Sequence, residues 1–189
     1  TLFRCTTCDD GNANTINDVD DGMCNCAGTP VVVPPATQFD LCFGNPTSDG
    51  NTFCVDIFMA YDGPGKLGSS NLMFDFDPDV LANPLYSSDN ISDPPVYLLP
   101  TVTSPAGGRA SYNIELAVPG LGDNVAEAPD SLLIGSVCLD IVDNNRPFRL
   151  EWYESGSAGT VVYLDDEASQ LIPRTLKNIT YPCMPEGTS

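Results

Sequence analysis

Phe53-Cys54-Val55-Asp56-Ile57 and Val137-Cys138-Leu139-Asp140-Ile141 are two versions of one five-residue stretch. Each alternates a large apolar residue with a cysteine or an aspartate. Side chains along a strand point alternately to its two faces. Both stretches therefore place cysteine and aspartate on one face and apolar residues on the other. A disulfide between Cys54 and Cys138 would tie the two strands together.

The same texture runs outward through most of the chain. Short stretches rich in Val, Ile, Phe and Tyr alternate with Gly, Pro, Asn and Asp clusters. Strands are predicted at Gln38–Phe43, Thr52–Tyr61, Ser70–Phe76, Val96–Leu99, Ser111–Val118, Leu132–Val142, Phe148–Tyr153, Thr160–Leu164 and Leu176–Thr180. Turn residues punctuate them at Gly44-Asn45-Pro46, Asp62-Gly63-Pro64-Gly65, Pro119-Gly120-Leu121-Gly122 and Asp143-Asn144-Asn145. No useful window carries a 3.6-residue period, and Pro78–Ala82 is expected to make one helical turn. About nine strands at this spacing predict an all-β protein, a β-sandwich of jelly-roll type.

The first 28 residues differ. Cys5, Cys8, Cys24 and Cys26 bracket a run of oxygen-bearing side chains with almost no apolar content. Such a module holds together through disulfides, a cation, or both. Thr29-Pro30-Val31-Val32-Val33-Pro34-Pro35 follows and reads as an extended linker. The expected organisation is a Cys-rich module over 1–28, a Pro-rich linker over 29–36 and a sandwich over 37–189.

Charge sets the class of partner. The chain has 26 acidic residues, 7 basic ones and no histidine, for a formal net charge of -19. Nucleic acid and anionic membranes are poor partners for such a surface. Calcium, cationic partners or simple solubility suit it. No apolar run approaches a membrane span, so membrane insertion is not expected. No signal peptide is visible, and Thr1 reads as a processed or artificially defined start. The eight cysteines, which also include Cys42 and Cys183, are expected as disulfides in a secreted or cell-surface protein. Cys42 and Cys183 lie near the two ends of the sandwich sequence and would close it; pairing of Cys42 with Cys54 across a hairpin stays open. An all-cysteine zinc site at the N-terminus also stays open, although Cys24-Asn25-Cys26 is tight for it.

The N-terminal run carries a cation signal. With Asp10 at position one of a twelve-residue loop, Asn12 and Asn14 fall at three and five. Ile16 offers a backbone carbonyl at seven, Asp18 stands at nine and Asp21 at twelve. This is the oxygen spacing of an EF-hand loop, and calcium takes such hard oxygen ligands. Thr15 stands where that loop has glycine, Asn17 replaces an apolar residue, Asp21 replaces a longer Glu, and cysteines replace the flanking helices. The expectation is calcium in a disulfide-framed loop; the competing reading is a set of Asx turns. Asp75-Phe76-Asp77-Pro78-Asp79 and Asp165-Asp166-Glu167 are further acidic clusters that read as solvated strand ends.

Nothing points to catalysis. Without histidine there is no Ser-His or Cys-His nucleophile pair. Trp152, the one tryptophan, reads as core rather than as a sugar platform. Asn90-Ile91-Ser92 and Asn178-Ile179-Thr180 are N-glycosylation triplets, which makes Asn90 and Asn178 candidate attachment sites.

Cys8-Asp9-Asp10-Gly11-Asn12-Ala13-Asn14-Thr15-Ile16-Asn17-Asp18-Val19, with Cys24-Asn25-Cys26-Ala27-Gly28-Thr29-Pro30, resembles a short cysteine repeat of large surface proteins of Bacteroidota. Thr52-Phe53-Cys54-Val55-Asp56-Ile57, Lys66-Leu67-Gly68-Ser69-Ser70-Asn71-Leu72-Met73-Phe74-Asp75-Phe76-Asp77 and Leu133-Ile134-Gly135-Ser136-Val137-Cys138-Leu139-Asp140-Ile141 resemble a cohesin-like β-sandwich. The resemblance implies a nine-stranded jelly roll, export by the type IX pathway and a scaffold or adhesive role, with no catalytic residue. The sorting domain usual in such proteins is not in this stretch, which implies a fragment, a repeat or a processed subunit.

Three functions follow in order. The first is a structural subunit or adhesin of an extracellular filament, self-associating or joining neighbouring repeats through the N-terminal module and the sandwich edges. The second is a carbohydrate-binding or cohesin-type recognition module. The third is an extracellular hydrolase using a carboxylate pair.

Overall fold

The structure is a computed structural model describing residues 10, 15–20, 26–30, 38–63, 65–92, 94–125, 130–154 and 159–181. The chain divides into two compact units, Thr1–Pro34 and Pro35–Ser189. In the first, β1 (Thr15–Asp20) pairs antiparallel with β2 (Cys26–Pro30).

Among the described residues, the regular elements of the second unit are strands: β3 (Gln38–Ser48), β4 (Thr52–Tyr61), β5 (Leu67–Phe76), β6 (Leu81–Asp89), β7 (Thr101–Ala106), β8 (Arg109–Ile114), β9 (Leu132–Ile141), β10 (Phe148–Trp152), β11 (Val161–Leu164), β12 (Ile172–Lys177) and β13 (Ile179–Tyr181). They form two sheets. One is five-stranded in the order β12-β3-β4-β9-β6; the other is six-stranded, β13-β10-β5-β8-β7, with β11 also on β5. The β12–β3 pair is parallel and the other sandwich pairs are antiparallel.

Alternation builds the core. Phe39, Leu41 and Phe43 of β3, Phe53, Val55, Ile57 and Met59 of β4, and Val137 and Leu139 of β9 point inward from the first sheet. Leu72 and Phe74 of β5, Tyr112 of β8 and Phe148, Leu150 and Trp152 of β10 meet them from the second. Aligned sheets burying such faces are the usual sandwich solution. Trp152 lies parallel on Phe43, ring centroids 4.0 Å apart, and edge-on to Phe74. Its indole N–H donates to the Lys177 carbonyl at 3.2 Å. Trp152 is core, as its position on a strand predicts.

Two expected elements differ. Residues 78–80 make a turn, but the chain then enters β6 rather than a helix. The predicted strand over Val96–Leu99 reduces to one bridge, Tyr97 to Leu116. Beyond about nine expected strands, β6 and β7 are additions. Both are edge strands containing proline, Pro84 and Pro105. Edge strands need no alternation on both sides, so their sequences read as loops.

β12 and β13 are one continuous stretch that changes sheet at Asn178. Its Oδ1 accepts the backbone N–H of Trp152 on β10 at 2.9 Å. Gly68 has a comparable steric role. A Cβ there would lie 2.1 Å from the Leu164 carbonyl oxygen, so only glycine lets β11 close on β5.

Candidate docking face

The outward face of the six-stranded sheet carries an ordered polar array. Inward Leu72 and Phe74 on β5 alternate with outward Asn71, Met73 and Asp75. Register sets Asn71 opposite Asn113 of β8, Met73 opposite Ser111, and Asp75 opposite Arg109. The Ser111 hydroxyl lies within hydrogen-bond reach of Asn71 Oδ1 and, at 2.7 Å, of Asn113 Oδ1. Asn113 Nδ2 donates to the Thr101 carbonyl at 3.2 Å and to Thr103 Oγ1 at 3.3 Å, which carries the array onto β7.

A charged unit adjoins it. Arg109 donates to both carboxylate oxygens of Asp75, at 2.6 and 2.9 Å. Its guanidinium lies 3.3 Å above the centre of the Tyr153 ring. This fork-on-carboxylate geometry, backed by a ring, fixes both side chains without burying them. Glu151 stands opposite Asp75 on β10. Thr160 stitches the gap between β10 and β11: its Oγ1 donates to the Met73 carbonyl at 2.9 Å and accepts the Met73 N–H at 3.1 Å. The result is a continuous face whose polar groups hold one another in place. Sequence reading missed it. The alternation of Asn71, Met73 and Asp75 with apolar residues was visible, but the cross-strand partners were not.

The five-stranded sheet's outward face is covalently tied instead. Cys54 and Cys138 are register partners on β4 and β9 and form a disulfide. Asp56 accepts from Ser136 Oγ at 2.5 Å and Asn45 Nδ2 at 2.9 Å. The Arg174 guanidinium on Asp40 holds that carboxyl below its ordinary value.

The remaining expected disulfides fall as follows. The Cys54–Cys138 bond excludes Cys42 with Cys54. Cys42 is a free thiol, contrary to the expectation that it is bridged, and its proposed partner Cys183 lies outside the described residues. Cys42 sits between register partners Phe58 and Lys177, neither a cysteine. Burial pushes its thiol pKa up; Lys177 opposes this and Asp40 adds to it. Cys26 is disulfide-bonded. Cys5, Cys8 and Cys24 lie outside the described residues.

Of the expected calcium ligands, Asp10 accepts the Gly28 N–H through Oδ2 at 3.0 Å. Ile16 and Asp18 lie within β1, and Asn12, Asn14 and Asp21 fall outside the described residues. Among the described residues no three acidic or cysteine side chains are grouped to hold a metal. Asp75 and Asp77 are paired with arginines, and Asp166 caps the turn at Ala168 and Ser169. Asn90 and Asn178 are both exposed. Asn90 Nδ2 donates to the Leu133 carbonyl at 3.1 Å. No described helix is long and apolar enough to cross a membrane.

No family model matches the chain, and no curated protein matches it. Several solved structures do, and they are cohesin modules. The sixth cohesin of scaffoldin B from Acetivibrio cellulolyticus, solved in complex with a mutant Cel5 dockerin, is 10% identical. It aligns over 78% of this chain and 100% of its own, with a TM-score of 0.53. The second type II cohesin of the ScaA adaptor scaffoldin from the same organism is 9% identical over 79% of this chain and 98% of its own, TM-score 0.52. The cohesin module of a family 33 glycoside hydrolase from Clostridium perfringens is 10% identical over 77% and 93%, TM-score 0.50. At such identities the likeness is one of fold: the sandwich is cohesin-like.

Proposed function

We propose that this chain is a non-catalytic extracellular recognition module that docks a protein partner on the outward face of its six-stranded sheet. The observation that carries the reading is the locked array Asn71–Ser111–Asn113 beside the Arg109–Asp75–Tyr153 unit. Side chains already held by their neighbours lose little freedom on binding, so such a face is preorganised. Arg and Tyr are also the residue types that most often anchor interfaces. The dockerin seen on one fold neighbour supports a protein as the partner.

The alternative route, strand addition at an edge, is disfavoured. Edge strands β6, β7 and β12 each contain a proline, Pro84, Pro105 and Pro173, and the remaining terminal strand, β13, is only three residues long. Proline blunts an edge by removing a ladder donor. A filament built from this chain would use sheet faces and the N-terminal unit rather than strand edges. In this reading the N-terminal unit is a disulfide-framed connector that takes calcium through Asp10, Asn12, Asn14, Ile16, Asp18 and Asp21, and the exposed Asn90 and Asn178 carry glycans. Trp152 is not available as a glycan platform, because it is only 6% exposed.

The test is capture of the partner from the source's secreted fraction, then binding of the purified partner to variants. Asn113→Ala and Arg109→Ala should weaken binding while Leu85→Asp on edge strand β6 leaves it unchanged. A partner that loses affinity only with Leu85→Asp would overturn the reading.

A further inference from the structure

Arginines gather at one margin of this sheet. The chain has 26 acidic residues against 7 basic. Yet around the start of β10 Arg109, Arg146 and Arg149 stand among Asp75, Asp77, Asp143 and Glu151. Asp75, Asp77, Arg149 and Glu151 line one shallow cavity of about 290 Å³. Arg109 is paired with Asp75 and Arg146 with Asp77. That leaves Arg149 and Glu151, which make no ion pair among the described residues. Both are exposed, and two positions apart on β10 they point to the same side.

Contact between two anionic bodies is opposed most strongly at short range. At about 0.15 M salt charges are screened beyond roughly 8 Å, but not across a contact. A patch in which three arginines offset most of the neighbouring carboxylates lessens that opposition. The unpaired positive and negative groups add direction. In a two-fold contact one patch meets its own copy, so residue i faces j while j faces i. A two-fold axis passing between Arg149 and Glu151 sets each against the other on the second copy. We propose that this patch pairs two copies of the chain face to face through reciprocal Arg149–Glu151 contacts. The pairing would cover the margin of the docking face, so a bound partner and a second copy would compete.

Sedimentation analysis of the full unglycosylated chain at about 0.15 M salt tests this. The wild type should dimerise as concentration rises towards the millimolar range. Arg149→Glu and Glu151→Arg should each weaken association about tenfold or more, because each sets like charges together. An equimolar mixture of the two variants should recover the dimer, since the copy carrying Arg149→Glu then presents two carboxylates to the two guanidinium groups of the copy carrying Glu151→Arg. Both positions are exposed, and unchanged melting of the variants checks that they fold. A wild type that stays monomeric, variants that dimerise as well as the wild type, or a mixture no better than either variant alone would each overturn the proposal. None of these outcomes bears on capture of a different protein by Asn113 and Arg109, so the two readings fail separately.

Discussion

Cys54 and Cys138 stand directly opposite each other on neighbouring strands β4 and β9, with Cα atoms 4.1 Å apart, and are bonded on the outward face of the five-stranded sheet. The bond closes a sequence separation of 84 residues and spans most of the sandwich. Its main effect is on the unfolded chain, which loses conformational freedom in proportion to the logarithm of the loop. Replacing both with alanine should lower stability by about 2–5 kcal/mol. Urea unfolding of the double variant against the oxidised wild type measures it. Equal midpoints would show that the denatured chain gains nothing from release of the loop.

Tyr61 and Tyr97 are both buried in the core, but their hydroxyls differ. Tyr97 donates to the Leu67 carbonyl at 2.6 Å and accepts the Asp123 N–H at 2.8 Å. The Tyr61 hydroxyl is buried with no hydrogen-bond partner among the described residues. A buried polar group without a partner carries its desolvation cost uncompensated. Tyr61→Phe should therefore leave stability unchanged or raise it by about 1 kcal/mol, whereas Tyr97→Phe should cost about 1–3 kcal/mol. Thermal melts of the two variants side by side separate these cases.

Stability should fall at both ends of the pH scale, for opposite reasons. Asp40, held low by Arg174, and Asp49, Asp143 and Asp166, each held low chiefly by hydrogen bonds, have depressed pKa values. Their stabilisation is present above the ordinary value of 3.8 and is lost as pH falls below it through the folded values. Burial raises Tyr61, Tyr97 and Tyr112 above their ordinary value of 10. Their contribution is complete below pH 10 and is lost as pH rises from there towards the folded values. Melting temperatures should thus fall below about pH 4 and again above about pH 10. A melting temperature that keeps rising above pH 10 would contradict the tyrosine assignment.

Among the described cysteines of the sandwich, Cys42 should be the reactive one. It is half-buried and free, while Cys54 and Cys138 are bonded. Its raised pKa leaves little thiolate at neutral pH, so alkylation should be slower than for a small free thiol and accelerate with pH. Peptide mapping after alkylation of the native, non-reduced protein reads this directly. A Cys42 that stays protected even after unfolding without reductant would mean that it is bridged.

The sequence by itself determined the strands that make the core. Thr52–Tyr61 and Leu132–Ile141 were legible because Phe53–Ile57 and Val137–Ile141 within them alternate, and a half-buried strand satisfies its two faces that way. The same alternation put Cys54 and Cys138 on matching faces, which made their bond foreseeable. It also marked Trp152 as core. What the alternation does not encode is which strand lies beside which. The tertiary structure alone decided that Asn71 meets Ser111, that Asp75 meets Arg109, and that Cys42 faces Phe58 and Lys177 rather than another cysteine. Edge strands β6 and β7 were hidden for a related reason. Paired on one side only, they tolerate Pro84 and Pro105, residues that read as turns until a neighbouring strand supplies the ladder. Strand identity is written in local periodicity, whereas a docking face is assembled from contacts between residues far apart in the chain.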